Sequence, residues 1–406
     1  MGPTFVDVLR ERAAAPGPAF EYVDGSGSVF LGHPELDARA RSIGASLTAH
    51  GLSGHRILVL LPRDLDYVAA LFGCWYAGAV AVPRPDRDLA AVLEDADPAA
   101  AIVPPDTVLP GVATLSIEEL AAAPDDWRRP DLGPDSLALL HYAGEHAVMV
   151  SHGNLVAGTR QTGRCFGAGP DAGVVSRLAE HRDLLTGVLH PILAGSRATL
   201  LSPRAGAADW LRAISDRRAR VSGGSERDFA QAAVTGGLDE VDLSTWDVAF
   251  TDGSTSTMDA FTDRFARNGF RRSSFFSCYW LPEATALVAG RRGPVVRSFD
   301  ADTLAPGRLA RPRAEGTPVL DRGRPADELE VVIVDPLTAT RCPDGTAGEI
   351  WVAGPNVAAG YLGRPGASER TFCARLRGST DNFLRTGDVG FVHDGGLHVT
   401  DALAAA

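Results

Sequence analysis

Short apolar runs alternate with stretches that repeat apolar side chains at helical spacing over the first two thirds of the chain. Ile57–Leu61 reads as a buried strand, Asp64–Ala77 as a helix, and Val80–Val82 as a strand closed by Pro83. Asp88–Ala96 is helical and Ala100–Val103 extended, and a looser Pro- and Asp-rich stretch fills 104–134. A second series follows: strand Leu137–Tyr142, helix Ser151–Arg164, strand Val174–Leu178, helix Asp183–Ala194 and strand Ala198–Leu201. Helices Asp209–Arg218 and Ser225–Val234, strand Trp246–Phe250 and helix Thr257–Asn268 complete it. Strands alternating with helices predict parallel, doubly wound sheets, and two series predict two of them. Beyond Gly290 the pattern changes to alternating apolar and polar positions with turns at Pro343-Asp344-Gly345 and Asp394-Gly395-Gly396, which predicts a small antiparallel, barrel-like unit. The expected division is 1–135 and 136–290, each α/β, then 291–406 with an Arg/Pro-rich insertion and the antiparallel unit.

Composition narrows the function. No apolar run reaches the roughly eighteen residues that span a bilayer, and Met1-Gly2-Pro3-Thr4 does not begin a signal peptide, so a cytoplasmic protein is expected. A net charge of -12 argues against nucleic acid or an anionic membrane as the main partner. Cys74, Cys165, Cys278, Cys342 and Cys373 are scattered and form no CxxC, so no metal site is expected from them. All 39 basic residues are arginine. Within these residues, chemistry that requires a lysine, such as a Walker-type phosphate contact or a Schiff base, is excluded.

Several segments carry a family pattern. Gly348-Glu349-Ile350-Trp351-Val352-Ala353-Gly354-Pro355 and Val357-Ala358-Ala359-Gly360-Tyr361 resemble shared segments of adenylate-forming enzymes. Leu384-Arg385-Thr386-Gly387-Asp388-Val389-Gly390 resembles their ribose-binding turn, and Tyr279-Trp280-Leu281-Pro282-Glu283-Ala284-Thr285 their Tyr-Gly-x-x-Glu-x-Thr motif. Val148–Leu155 is similar to the segment after their phosphate loop. Within the superfamily, Asp66–Gly78 and His190–Gly195 are most similar to fatty acyl-AMP ligases, and 291–320 occupies the place of that family's insertion. The resemblance implies the fold of their N-terminal domain: two doubly wound sheets in five α/β/α/β/α layers plus a small antiparallel β-barrel. It also implies a nucleotide site at Tyr279, Thr285 and Asp388, with Gly253 and Ser254 beside the base.

The departures from the family pattern concern the triphosphate. The family neutralises it with a Ser/Thr/Gly-rich loop, a lysine and Mg²⁺ on the motif glutamate. Only Ala143-Gly144-Glu145-His146-Ala147 separates Tyr142 from Val148 here, without a hydroxyl or lysine and with an anionic Glu145. The plainest expectation is a tight loop joining strand to helix. On the acyl side, Arg182 stands where the family has histidine, and His181 precedes it. Thr251-Asp252-Gly253-Ser254-Thr255 replaces Asn-Gly-Ala-Glu-Pro, and Trp280 replaces the motif glycine. Where the family continues through a hinge into a lid domain, this sequence reads Thr400-Asp401-Ala402-Leu403-Ala404-Ala405-Ala406, so no C-terminal lid domain is expected.

These residues predict a degenerate fatty acyl-AMP ligase-like protein of a biosynthetic pathway that works without ATP. It would act on an acyl group already activated on an acyl carrier protein or another thioester. Glu283, His181 and Asp183 are the candidate acid/base groups. No metal or cofactor is expected beyond weak AMP binding. A non-catalytic scaffold for a partner ligase or synthase, and a residual acyl-AMP ligase, are the alternatives.

Overall fold

The structure is a computed structural model, and it describes residues 2–14, 20–25, 27–83 and 88–402. The chain divides into two compact units. The first comprises Met1–Arg160, Gly169–Ala205 and Tyr361–Arg364, and the second Gln161–Ala168, Gly206–Gly360 and Pro365–Ala406.

In the first unit, strands Ala113–Leu115, Ala100–Ile102, Arg56–Val59, Val80–Pro83 and Leu137–Ala143 lie side by side in that order, all parallel. Strand Leu137–Ala143 thus joins the strands of the first series rather than those that follow it. Its other neighbour is antiparallel His146–Ser151, a strand absent from the sequence expectation. A separate set of strands, Val174–Ser176, Ala198–Leu201, Phe20–Asp24 and Gly27–Leu31, draws on both ends of this unit. Phe20–Asp24 pairs parallel to Ala198–Leu201, about 180 positions away along the chain.

Apart from Asp66 in its first turn, the helix Leu65–Tyr76 is apolar all round and is accordingly buried. Asp64 caps it by accepting from the N–H groups of Asp66 and Tyr67. Its Gly73 sits so close to helix His33–Ala49 that an added Cβ would lie 2.2 Å from Ile43 Cγ2. The indole of Trp75 donates to the carbonyl of Ala138 at 2.8 Å. Ala138 is the residue skipped in the pairing of Leu137–Ala143 with its neighbour, so this side-chain donor satisfies a carbonyl at a break in the ladder.

In the second unit, strands Val221–Gly223, Val248–Thr251 and Phe275–Trp280 are parallel, and Leu287–Arg292 and Arg324–Pro325 continue antiparallel. Helices Ala207–Asp216, Glu226–Val234 and Thr255–Phe265 accompany them. Trp210, Phe229, Trp246, Phe261, Phe270 and Phe275 stack edge to face beneath these strands. A further sheet, antiparallel throughout, has the order Val295–Phe299, Thr317–Asp321, Gly396–Ala402, Asn382–His393, Gly348–Ala353, Glu330–Asp335 and Thr340–Arg341. No described helix is long and apolar enough to cross a membrane.

Gly73→Val tests the close helix contact. The branched side chain cannot be placed without separating the helices, so a loss of about 1–3 kcal/mol is expected, read as a lower urea midpoint at unchanged slope.

Candidate functional site

The phosphate-loop position is a β-hairpin. Leu140 pairs with Met149, His141 with Val148, Tyr142 with Ala147 and Ala143 with His146, so only Gly144 and Glu145 lie outside the ladder. Gly144 has φ +57°, while Glu145 is not among the residues of positive φ. A left-handed glycine at the first of two loop positions suits a type II′ turn, whose twist matches that of the strands. The expectation of a tight loop running directly into a helix is corrected by this second strand; helix His152–Phe166 begins only after Ser151. A two-residue turn forms wherever glycine meets a register with apolar side chains on both arms, and Ala147, Val148 and Val150 supply that register.

The hairpin is held from the other side too. Val148 bridges to Tyr361, Leu362 N–H donates to Ala147 O at 2.9 Å, and the Tyr361 ring lies 4.7 Å from that of His146. Tyr142 donates its hydroxyl to Asp95, which also pairs with Arg364. A phosphate cradle needs successive N–H groups converging on one point. In a pleated ladder they point alternately to either side, and the tip carries the exposed Glu145 carboxylate.

The same unit holds His181 and Asp183. His181 opens the short helix His181–Leu184, and its ring stacks on that of His141 at 3.7 Å. Burial, then His181 and Arg63, push the His141 pKa well below the usual imidazole value. Arg63 donates to the carbonyls of Leu178 and Ala179, and Leu178 adopts φ +49°. The Asp183 carboxylate is buried and accepts from the Glu180 N–H at 2.9 Å, capping its own helix. Burial raises its pKa, opposed by that hydrogen bond and by Arg182 and Arg177. Arg182, in the family's histidine position, pairs with Glu180 at 2.8 Å.

Tyr279, Glu283, Thr285, Asp388, Gly253 and Ser254 all belong to the second unit. Tyr279 donates its hydroxyl to Asp388 at 2.6 Å. The turn that carries Asp388 is fixed from below: Arg385 grips the buried Glu349 through both carboxylate oxygens, and Thr386 donates to Ile350 O at 2.7 Å. Gly387, with φ +74°, then lets Asp388 N–H return to Thr386 Oγ1. Burial raises the Asp388 pKa, opposed by the Tyr279 hydrogen bond. Burial and the neighbouring carboxylate together push the Tyr279 phenol upward.

Glu283 sits in a single turn, Pro282–Ala284, whose carbonyl at Glu283 accepts from Ala358 N–H. Thr285 follows, buried and at φ +62°, a conformation costly for a β-branched residue. Gly253 N–H donates to Thr251 Oγ1, and Ser254 caps helix Thr255–Phe265. Sequence reasoning missed Glu226, whose carboxylate accepts from the hydroxyls of Ser254 and Thr257. Those bonds lower its pKa. It also missed Arg322. The only local signal for Glu226 was its place beside the capping residues Ser225 and Asp228, which marks a helix start and not a ligand.

The sequence pattern of AMP-binding enzymes matches residues 9–362. The chain belongs to that family. Among its relatives, the medium-chain-fatty-acid–[acyl-carrier-protein] ligase JamA of Moorena producens is 30% identical over 98% of this chain and 76% of its own length. The long-chain-fatty-acid–AMP ligase FadD23 of Mycobacterium tuberculosis is 32% identical over 93% and 74%. The fatty acyl-adenylate ligase of L. pneumophila, solved with acyl adenylate and pyrophosphate, superposes with a TM-score of 0.92 at 26% identity, covering 99% of this chain and 77% of that one. The expected α/β fold of the adenylate-forming N-terminal domain is therefore the one found. In this AMP-binding family member, Asp388, in the segment that resembles the family's ribose-binding turn, accepts from Tyr279.

Two outcomes follow from this geometry. Tyr279→Phe removes a hydrogen bond to a half-buried carboxylate and is expected to cost about 1–3 kcal/mol, measured by urea unfolding. Stability should also fall on mild acidification. His141 is held well below its usual pKa, and His152 and His190 are pushed down to about 4, in each case by burial first. These rings stay neutral when folded but take up protons when unfolded below about pH 6.5, so stability is lost as pH falls from there toward about 4. The raised pKa values of Asp183 and Asp388 act with the opposite sign and nearer the carboxylate range. Urea midpoints at pH 7.5, 6.5 and 5.5 should decline across the lower interval; a flat profile contradicts the assignment.

Proposed function

We propose that this fatty acyl-AMP ligase-like protein does not activate carboxylates with ATP, and that it takes an acyl group already activated as a thioester on a carrier protein. The observation that carries the reading is the hairpin at Ala143–His146. ATP-Mg²⁺ would bring a triphosphate to a pleated turn that has no converging N–H groups or hydroxyls and a carboxylate at its tip. Like charges repel there by amounts that grow as water is excluded. Losing even one preorganised donor to developing charge lowers the rate of such reactions by about a hundredfold to a thousandfold. The residues present do not fit the triphosphate.

A carrier-bound acyl thioester supplies the activation that ATP otherwise provides. JamA, named as an acyl-carrier-protein ligase, is a relative for which carrier proteins are the acceptor, and this supports the same class of partner here. His181, with its stacked neighbour His141, and Glu283 are the groups proposed to handle protons. Asp183, spent on a helix cap, serves as their support.

The test is pyrophosphate exchange. With ATP-Mg²⁺ and fatty acids of medium and long chain, no exchange above that of a heat-treated control is expected, while an acyl-pantetheine thioester binds in a fluorescence or calorimetric titration. Exchange at rates usual for adenylating enzymes would overturn the proposal. If the thioester binds but is never consumed, and Glu283→Gln and His181→Ala leave the pathway output intact, the scaffold alternative replaces the catalytic one.

A further inference from the structure

In open parallel sheets, ligands collect at the carboxyl ends of the strands. In the second unit those ends are Gly223, Thr251 and Trp280. One cation reaches over this edge from the Arg/Pro-rich stretch. Arg322 follows strand Thr317–Asp321, and its guanidinium donates to Ser277 Oγ at 3.2 Å and to Asp252 O at 3.0 Å. Both acceptors are uncharged.

Arg322 is only partly exposed, yet it forms no ion pair with any described residue. Asp252 and Glu226 lie near enough to act on it electrostatically, but neither forms a salt bridge with it, and two neighbouring carboxylates are hydrogen-bonded elsewhere. Asp321, its neighbour in sequence, pairs with Arg291 at 2.7 Å and accepts from Gly323 N–H. Glu226 is turned onto Ser254 and Thr257. A guanidinium presents five N–H donors in a planar fork, and two are used. Burial lowers the pKa of Arg322, and the nearby Cys278, Asp252 and Glu226 offset that only in part. A cation drawn out of water without a counter-ion is unfavourable unless something supplies one.

We propose that Arg322 is the receptor for a carboxylate on the ligand, and that the acyl group accepted by this protein carries a second, free carboxylate at its far end. The fork geometry suits a planar carboxylate bound through both oxygens. The backbone of Gly323, at φ +83°, is packed so tightly against Gly290 O that an added Cβ would lie 2.1 Å away, so the base of the arginine is fixed. Ser277 and the Asp252 carbonyl hold the head, leaving the remaining donors to the ligand. The form in which the acyl group arrives rests on the thioester reading above; the anion site does not.

The test uses the whole protein and five probes: glutaryl-pantetheine, pentanoyl-pantetheine, free glutarate, 4′-phosphopantetheine and inorganic phosphate. Glutaryl-pantetheine is expected to bind about tenfold to a hundredfold more tightly than pentanoyl-pantetheine, as a charge-assisted pair allows. Arg322→Gln should bring the two to parity, and Arg322→Lys should restore part of the difference; thermal unfolding of each variant checks that it is folded. Equal affinities in the unaltered protein overturn the proposal. So does a preference for the phosphate probes over glutarate, which would make the cation a phosphate receptor. If neither thioester binds but free glutarate does, and only with Arg322 present, the carboxylate site stands while the thioester reading fails. If no probe binds, both fall.

Discussion

The pairing of Leu137–Ala143 with His146–Ser151 is the constraint on which the reading of this protein depends. A backbone that is committed to a ladder has fixed the direction of every N–H along it. Phosphate binding asks for the opposite, a stretch of chain without lateral partners whose donors can turn inward together. The two uses of one segment exclude each other. Here the ladder is reinforced by apolar burial at Ala147, Val148 and Val150 and by the bridge to Tyr361, so the segment is bound tightly into its sheet.

The carboxylates of both units show the same preference for internal satisfaction. Asp388 has its donor in Tyr279, Glu226 has two hydroxyls, Asp183 has a backbone N–H, and Glu349 has Arg385. Carboxylates that a ligand would otherwise address are bonded within the protein. Arg322 departs from that pattern, being bonded only to neutral oxygens. A part-buried guanidinium whose hydrogen bonds go only to neutral oxygens is what distinguishes it from the many exposed arginines.

Much of this fold was legible in the sequence because its strands are short, apolar and punctuated by Gly and Pro. Val80–Pro83 and Ala198–Leu201 fall where periodicity places them, and helix Leu65–Tyr76 lies within one residue of its expected ends. What escaped is what local pattern cannot encode. His146–Ser151 reads as the approach to a helix because its partner strand, not its own composition, makes it a strand. Phe20–Asp24 finds its neighbour far away along the chain. At the site, the motifs carried Tyr279 and Asp388 but not the hydrogen bond between them. Arg322 stands in a stretch with many arginines, and nothing in Asp321-Arg322-Gly323 separates it from Arg291 or Arg324 until the fold places it over Ser277.

The strap formed by Tyr361 and Leu362 also bears on how the chain acquires its structure. The first unit is assembled mainly from the opening 205 residues, yet its edge hairpin is completed by a segment that lies more than two hundred positions further on. During synthesis, that edge emerges long before its cover does. Until then the outward side of His146–Ser151 is an open sheet edge, the kind of surface that recruits other strands. Contacts of such long sequence separation close late and slowly. In the growing chain, therefore, this hairpin edge stays open to other strands until Tyr361 and Leu362 arrive.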